Sequence, residues 1–158
     1  MFSNDEKKQL RKEFWNRFAE RTKAINNKKG YSKKWLLYKT GVKGLELKFH
    51  LDEKSAMVMI EVNLNNTERR DGIFKIIEEY KTVIETAFKN RLVWDKDVFI
   101  TDKKHIARIY FEMAPANIYA EDQWPEIIDF FVRQMTRLEL TWREYADVIK
   151  ERTKAIIQ

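Results

Sequence analysis

The chain has 158 residues, no cysteine, and only 4 glycines and 2 prolines. These numbers exclude a disulfide framework, thiolate metal sites, cysteine catalysis and Gly/Pro-rich linkers, and they fit one domain with its own core. Lys and Arg outnumber Asp and Glu by 31 to 25, but the excess is local. Residues 1–34 hold 11 basic and 4 acidic side chains, and residues 35–158 hold 20 and 21. A +7 segment therefore precedes a nearly neutral body.

No apolar run approaches the ~18 residues of a membrane span, and Met1–Glu6 lacks the basic and apolar regions of a secretory leader. With no cysteine, a reducing cytoplasm and no membrane partner are expected.

In chain order, Ser3 and Glu6 form a capping box that opens a helix over about 4–25. Its apolar stripe is Leu10, Phe14, Phe18 and Ile25. Residues 34–64 change to strand periodicity. Trp35–Tyr38 is a short apolar run, and Thr40, Gly41 and Gly44 mark a turn. Leu45, Leu47, Phe49 and Leu51 then alternate with Glu46, Lys48 and His50. After an Asp52–Ser55 hairpin loop, Val58, Ile60, Val62 and Leu64 resume the alternation.

A central helix is predicted over about 71–90 with Asp71 as its N-cap. Short strands are predicted near 92–94 and 98–100, and a longer one over 106–113. In that strand Arg108, Tyr110 and Glu112 point away from the core. A last helix over about 122–156, capped by Asp122 with Pro125 in its first turn, carries Ile127, Phe131, Met135, Leu138, Trp142, Tyr145 and Ile149. That stripe is long for a domain of this size, so either a break or packing on another subunit is expected. The reading is one α+β domain spanning 1–158, with a mostly antiparallel sheet of about five strands. Three helices, N-terminal, central and long C-terminal, pack mainly on one face.

Chemistry is sparse. Four scattered glycines cannot write a phosphate-binding glycine loop, so no cofactor is indicated. His50 and His105 lack partners at metal-ligand spacing, and no metal site is indicated. Glu46-Leu47-Lys48, with Asp52 and Glu61, resembles the acidic and Lys set of a magnesium nuclease, but no Asp or Glu lies between Glu20 and Glu46 to complete it. No serine sits in a nucleophile elbow. No catalytic residue is therefore assigned.

The glycine-bearing turn Tyr38-Lys39-Thr40-Gly41 reads either as an anion-holding backbone nest or as a structural turn. With Arg108, Tyr110 and Glu112 it makes the candidate ligand site. Lys7, Lys8, Arg11, Lys12, Lys28, Lys29, Lys33 and Lys34 are the candidate nucleic-acid contacts.

Certain runs carry a resemblance. They are Lys34-Trp35-Leu36, Tyr38-Lys39-Thr40-Gly41, Lys81 with Ile84-Glu85, Leu92-Val93-Trp94, Arg108-Ile109-Tyr110, Asn117-Ile118, Trp124-Pro125, Phe130-Phe131 and Trp142, with Phe14-Trp15 and Phe18 in the opening helix. The chain resembles, over nearly its whole length, the bacterial family known as domain of unknown function 4268, in its stand-alone form. The resemblance implies an accessory module. In some longer relatives the module follows a restriction-endonuclease-like domain, which implies a setting in DNA defence or processing. The expected function is a binding module that self-associates as a homodimer through the last helix or takes a protein partner. A nucleic-acid-associated module is the alternative, and a divergent metal-dependent nuclease comes third.

Overall fold

A computed structural model describes residues 1–29 and 40–157. The first helix, α1 (Asn4–Lys29), starts at the expected capping box: the Ser3 N–H donates to Glu6 Oε1 at 3.1 Å and the Glu6 N–H to Ser3 Oγ at 3.2 Å. Strands β1 (Leu45–Leu51) and β2 (Ala56–Val62) pair antiparallel in register from Leu45↔Val62 to Leu51↔Ala56. Helices α2 (Thr67–Glu78) and α3 (Lys81–Phe88) follow, then β3 (Val93–Thr101) and β4 (Lys104–Met113). A 3-10 turn at Glu121–Gln123 leads into α4 (Trp124–Ile157). The strands form one antiparallel sheet in the order β1-β2-β4-β3. The α+β class is thus as expected, and among the described residues no helix is long and apolar enough to cross a membrane.

Four details differ from the sequence reading. The sheet has four strands among the described residues, because 92–94 and 98–100 belong to one strand. The polar Asp95-Lys96-Asp97 insert that divides them is a bulge, where the register against β4 slips between Asp95 and Val98. The central helix begins earlier, at Asn66, whose side-chain oxygen accepts the Arg69 N–H at 2.9 Å, so Asp71 lies inside it. That helix also breaks at Glu79–Tyr80. Arg152 of α4 bonds both residues there, and the Tyr80 ring lies 6.5 Å from Tyr145. Four α-helices result where three were expected, and Asp122 sits in the 3-10 turn rather than at a helix cap. The run Trp35–Tyr38 lies outside the described residues.

β2, the most apolar strand, holds the centre and is buried at all seven positions. Its inward residues Val58, Ile60 and Val62 join Leu45, Leu47, Ala107 and Ile109 in one continuous core. α4 and α2 pack on that face. α1 closes one end through Phe14 and Phe18, which meet Phe131 of α4 and Phe49 of β1.

α4 is one unbroken helix of 34 residues, about 51 Å long. Its apolar stripe needs no second subunit to cover its far end, since Ile149 and Thr153 are buried within the chain. Ile156 lies so close to Gly72 of α2 that a Cβ there would sit 3.2 Å from Ile156 Cδ1.

Candidate functional site

The exposed surface of α1 carries most of the concentrated positive charge. Its cations divide into two groups. Lys7 Nζ stands 5.3 Å from the Tyr119 ring centroid, Arg11 Nη1 donates to the Tyr119 hydroxyl at 2.8 Å, and the Arg17 guanidinium lies 4.8 Å from the Trp124 ring centroid. Arg17 also approaches Glu121 at 3.9 Å. These contacts fasten α1 to the segment that opens α4. Lys8, Lys12, Arg21 and Lys23 are exposed, with no hydrogen bond or ion pair among the described residues. Helical spacing places Lys8, Lys12 and Lys23 on the side away from buried Leu10, Phe14 and Phe18. On the side of α1 that faces α4, a groove of about 410 Å³ is lined by Arg17, Glu20, Arg21, Trp124, Pro125 and Ile128. Among the predicted contacts, the side chains of Lys28 and Lys29, and all of Lys33 and Lys34, lie outside the described residues.

The predicted anion-binding turn divides. Tyr38 and Lys39 lie outside the described residues. Thr40 is buried, and its hydroxyl is fully engaged: it donates to the Leu45 carbonyl at 2.6 Å and accepts the Val42 N–H at 3.1 Å. Gly41 has φ +82°, a left-handed conformation that favours glycine, and a Cβ there would lie 2.9 Å from Lys150 Cε. Gly41 therefore packs toward the helix layer. Arg108, Tyr110 and Glu112 project from the opposite sheet face, as expected. The Arg108 guanidinium stacks 4.8 Å from the Tyr110 ring centroid. Among the described residues, Thr40 and Gly41 are thus not brought together with Arg108, Tyr110 and Glu112.

That sheet face is organised in three cross-strand rows. Glu46, Glu61, Arg108 and Asp95 form the first, Lys48, Met59, Tyr110 and Val93 the second, and His50, Met57 and Glu112 the third. Four carboxylates against two cations make the face acidic, which disfavours a phosphate ligand there. Glu46 and Glu61 stand directly opposite each other, an arrangement that costs energy unless a cation intervenes. Lys48 Nζ does so, 3.1 Å from Glu46 and 3.0 Å from Glu61. Burial alone lowers the Lys48 amine, but hydrogen bonds to Glu61 and Glu46 outweigh it and hold the pKa above its ordinary value. Within the nuclease-like set, Lys48 thus bridges the carboxylates of Glu46 and Glu61. Among the described residues no group of three or more His, Asp or Glu is placed to hold a metal.

His50 lies at the end of this face, and its ring donates to Asp52 Oδ2 at 2.9 Å. Burial raises the Asp52 carboxyl, yet the hydrogen bonds from His50 and from the Lys54 and Ser55 N–H groups hold it below the usual aspartate range. Asp52 therefore stabilises the fold fully above the ordinary aspartate pKa of about 3.9, and this contribution is lost as pH falls through the lowered folded value. In Asp52→Asn the drop in urea midpoint between about pH 6 and about pH 3 is expected to be smaller than in the parent protein. Equal drops would remove Asp52 from the acid response.

Sequence reasoning missed one cluster. Arg70 of α2 is 1% exposed. Its Nη1 donates to the Leu64 carbonyl at 2.9 Å, and its Nη2 to His105 Nδ1 at 2.7 Å. Because arginine only donates, His105 Nδ1 must accept, which places the ring proton on Nε2, 2.9 Å from Asp97 Oδ1. Both ring nitrogens are committed, so His105 has no lone pair free for general-base work. The available signal was positional: Arg70 occupies an apolar-stripe position, three residues before Ile73 and seven before Ile77.

Among curated proteins and among solved structures nothing matches this chain. The family model described as domain of unknown function (DUF4268) matches residues 10–146, from the first core residue of α1 into the second half of α4, and the chain belongs to that family.

Proposed function

We propose that this chain is a binding module that associates with nucleic acid through the outer face of α1 and the adjoining α1/α4 groove. The observation that carries the reading is the set of exposed α1 cations, Lys8, Lys12, Arg21 and Lys23, that no acidic side chain among the described residues neutralises. The acidic sheet face argues that a polyanion would approach from the α1 side. The setting in DNA defence or processing that the resemblance implies would supply such a polyanion.

If these four cations each displace a counterion from duplex DNA, log K falls with log salt at a slope of about −3.6, and affinity drops about 10²-fold between about 50 and 200 mM salt. A gel-shift titration of a mixed-sequence duplex measures this. The triple variant Lys8→Glu, Lys12→Glu, Lys23→Glu is expected to bind about tenfold or more weakly, with a shallower slope. Absence of a complex at low salt, binding indifferent to salt, or parental affinity in the triple variant would each defeat the proposal.

A second reading, self-association, is favoured by a different observation. On the outward side of α4, Leu140 is 60% exposed and Val148 40% exposed.

A further inference from the structure

The side of α4 opposite its buried stripe has a distinct charge order. At helical spacing it presents Arg133 and Arg137, then Leu140, then Glu144, Asp147 and Glu151. All but the half-buried Arg137 are exposed. Next to Leu140 a groove of about 340 Å³ opens between α3 and α4, floored by Ala87, Thr136 and Thr141. Its volume is roughly ten times the ~30 Å³ share of a water molecule. An aliphatic side chain from outside has room there.

Reversed, this stripe sets its Arg133 and Arg137 end against its Glu144 and Asp147 end. A two-fold axis through Leu140 sets each residue against the one equally far beyond it on a second copy. Arg133 then meets Asp147, Glu126 meets Lys154, and Leu140 meets Leu140 next to the groove, while Arg137 is set against Arg143, one position from Glu144. Parallel pairing would put arginine on arginine and glutamate on glutamate. Two reversed pairs are unfavourable, Asp129 against Glu151 and Arg137 against Arg143. Three of these four are already held on their own helix, Asp129 by Arg133 at 2.8 Å, Glu151 by Lys154 at 2.8 Å and Arg143 by Glu139 at 2.9 Å.

We infer that the partner of this surface is a second copy of the chain, docked through antiparallel pairing of the outer face of α4 about Leu140. The inference rests on the self-association reading and assigns its surface. That surface differs from the inner stripe that the sequence pointed to, which the chain itself covers.

Sedimentation equilibrium over a wide concentration range tests it, using the parent chain, Leu140→Glu, Asp147→Arg and the double swap Arg133→Glu/Asp147→Arg. Circular dichroism and the thermal midpoint show that each variant is folded. The expected result is a dissociable parental dimer. Its dissociation constant should rise about tenfold or more in each single variant and return toward the parental value in the double swap. A parent chain that stays monomeric at the highest concentration defeats both self-association and this pairing. A parental dimer that either single variant leaves intact, or that the double swap does not recover, keeps self-association and overturns the α4 surface.

Discussion

Replacing Phe131 with alanine is expected to lower the unfolding free energy by about 4 kcal/mol, the largest loss of any single core truncation in this chain. Phe131 is fully buried and sits where three elements meet. Its ring centroid lies 6.2 Å from Phe14, 5.9 Å from Trp15 and 5.8 Å from Phe18, all on α1. It lies 4.9 Å from Phe49 on β1 and 6.0 Å from its neighbour Phe130. Trp15 stacks on it nearly parallel, at 10°, whereas Phe14 and Phe18 approach edge-on at 77° and 84°. Both are favoured aromatic geometries and add about 0.5–1.5 kcal/mol per pair beyond area burial. Alanine removes all of these and leaves a void that three separate elements would have to close together. The thermal midpoint should fall by roughly 10 °C, at about 2–4 °C per kcal/mol for a domain of this size. Phe131→Leu, which fills most of the space, should lose only about 1–2 kcal/mol. Urea unfolding with an unchanged m-value checks both, and a loss under about 1 kcal/mol for the alanine variant would mean that α1 is not anchored through this ring.

The same ring explains why so much of the fold was legible in the sequence. Phe14, Phe18 and Phe131 lie on strict helical stripes, and Phe49 lies on a strict two-residue alternation, so each declares its buried face locally. The capping box at Ser3 and Glu6 was legible for the same reason, because both partners are three residues apart. What escaped depends on contacts distant in sequence. The break at Tyr80 carries no proline or glycine, and its contacts come from Arg152 and Tyr145 on α4. The bulge in β3 reads as a gap because Asp95, Lys96 and Asp97 interrupt the apolar pattern at an edge strand, where polar residues and irregularity also guard against unwanted pairing.

The candidate site was less legible than the fold. Charge along the chain located the +7 segment, but its division into cations fastened to Tyr119 and Trp124 and cations left in solvent exists only once α1 and α4 are packed. The sign of the sheet face was likewise hidden. Asp95 joins Glu46, Glu61 and Glu112 there only through the β3–β4 register.

Arg70 supplies the second large effect, and it tests a balance of opposing terms. Arg70→Leu removes a buried cation, and relief of its desolvation penalty would by itself stabilise the fold. Against this stand the groups that would lose their donor. They are the Leu64 carbonyl, which has its Nη1 at 2.9 Å, His105 Nδ1, which has its Nη2 at 2.7 Å, and the more distant Thr67 hydroxyl at 3.3 Å. Hydrogen bonds from a charged donor contribute about 1.5–3 kcal/mol each, and buried acceptors left unpaired cost about 1–3 kcal/mol. Among the described residues no carboxylate contacts the guanidinium directly, so leucine strands neutral acceptors and leaves no opposing buried charge. The acceptor term wins, and a net loss of about 3 kcal/mol is expected. Arg70→Lys should lose somewhat less. It keeps the charge, but a single ammonium cannot span the Leu64 carbonyl and His105 as the planar fork does. Urea unfolding reads the energies, and nitrogen NMR of the His105 ring reads the cause. The parent should show the proton held on Nε2, and the leucine variant should show mixed tautomers, because nothing then demands that Nδ1 accept. A leucine variant as stable as the parent, or a His105 ring whose tautomer does not respond, would reduce Arg70 to a packed side chain with no role in joining α2 to the β3–β4 hairpin.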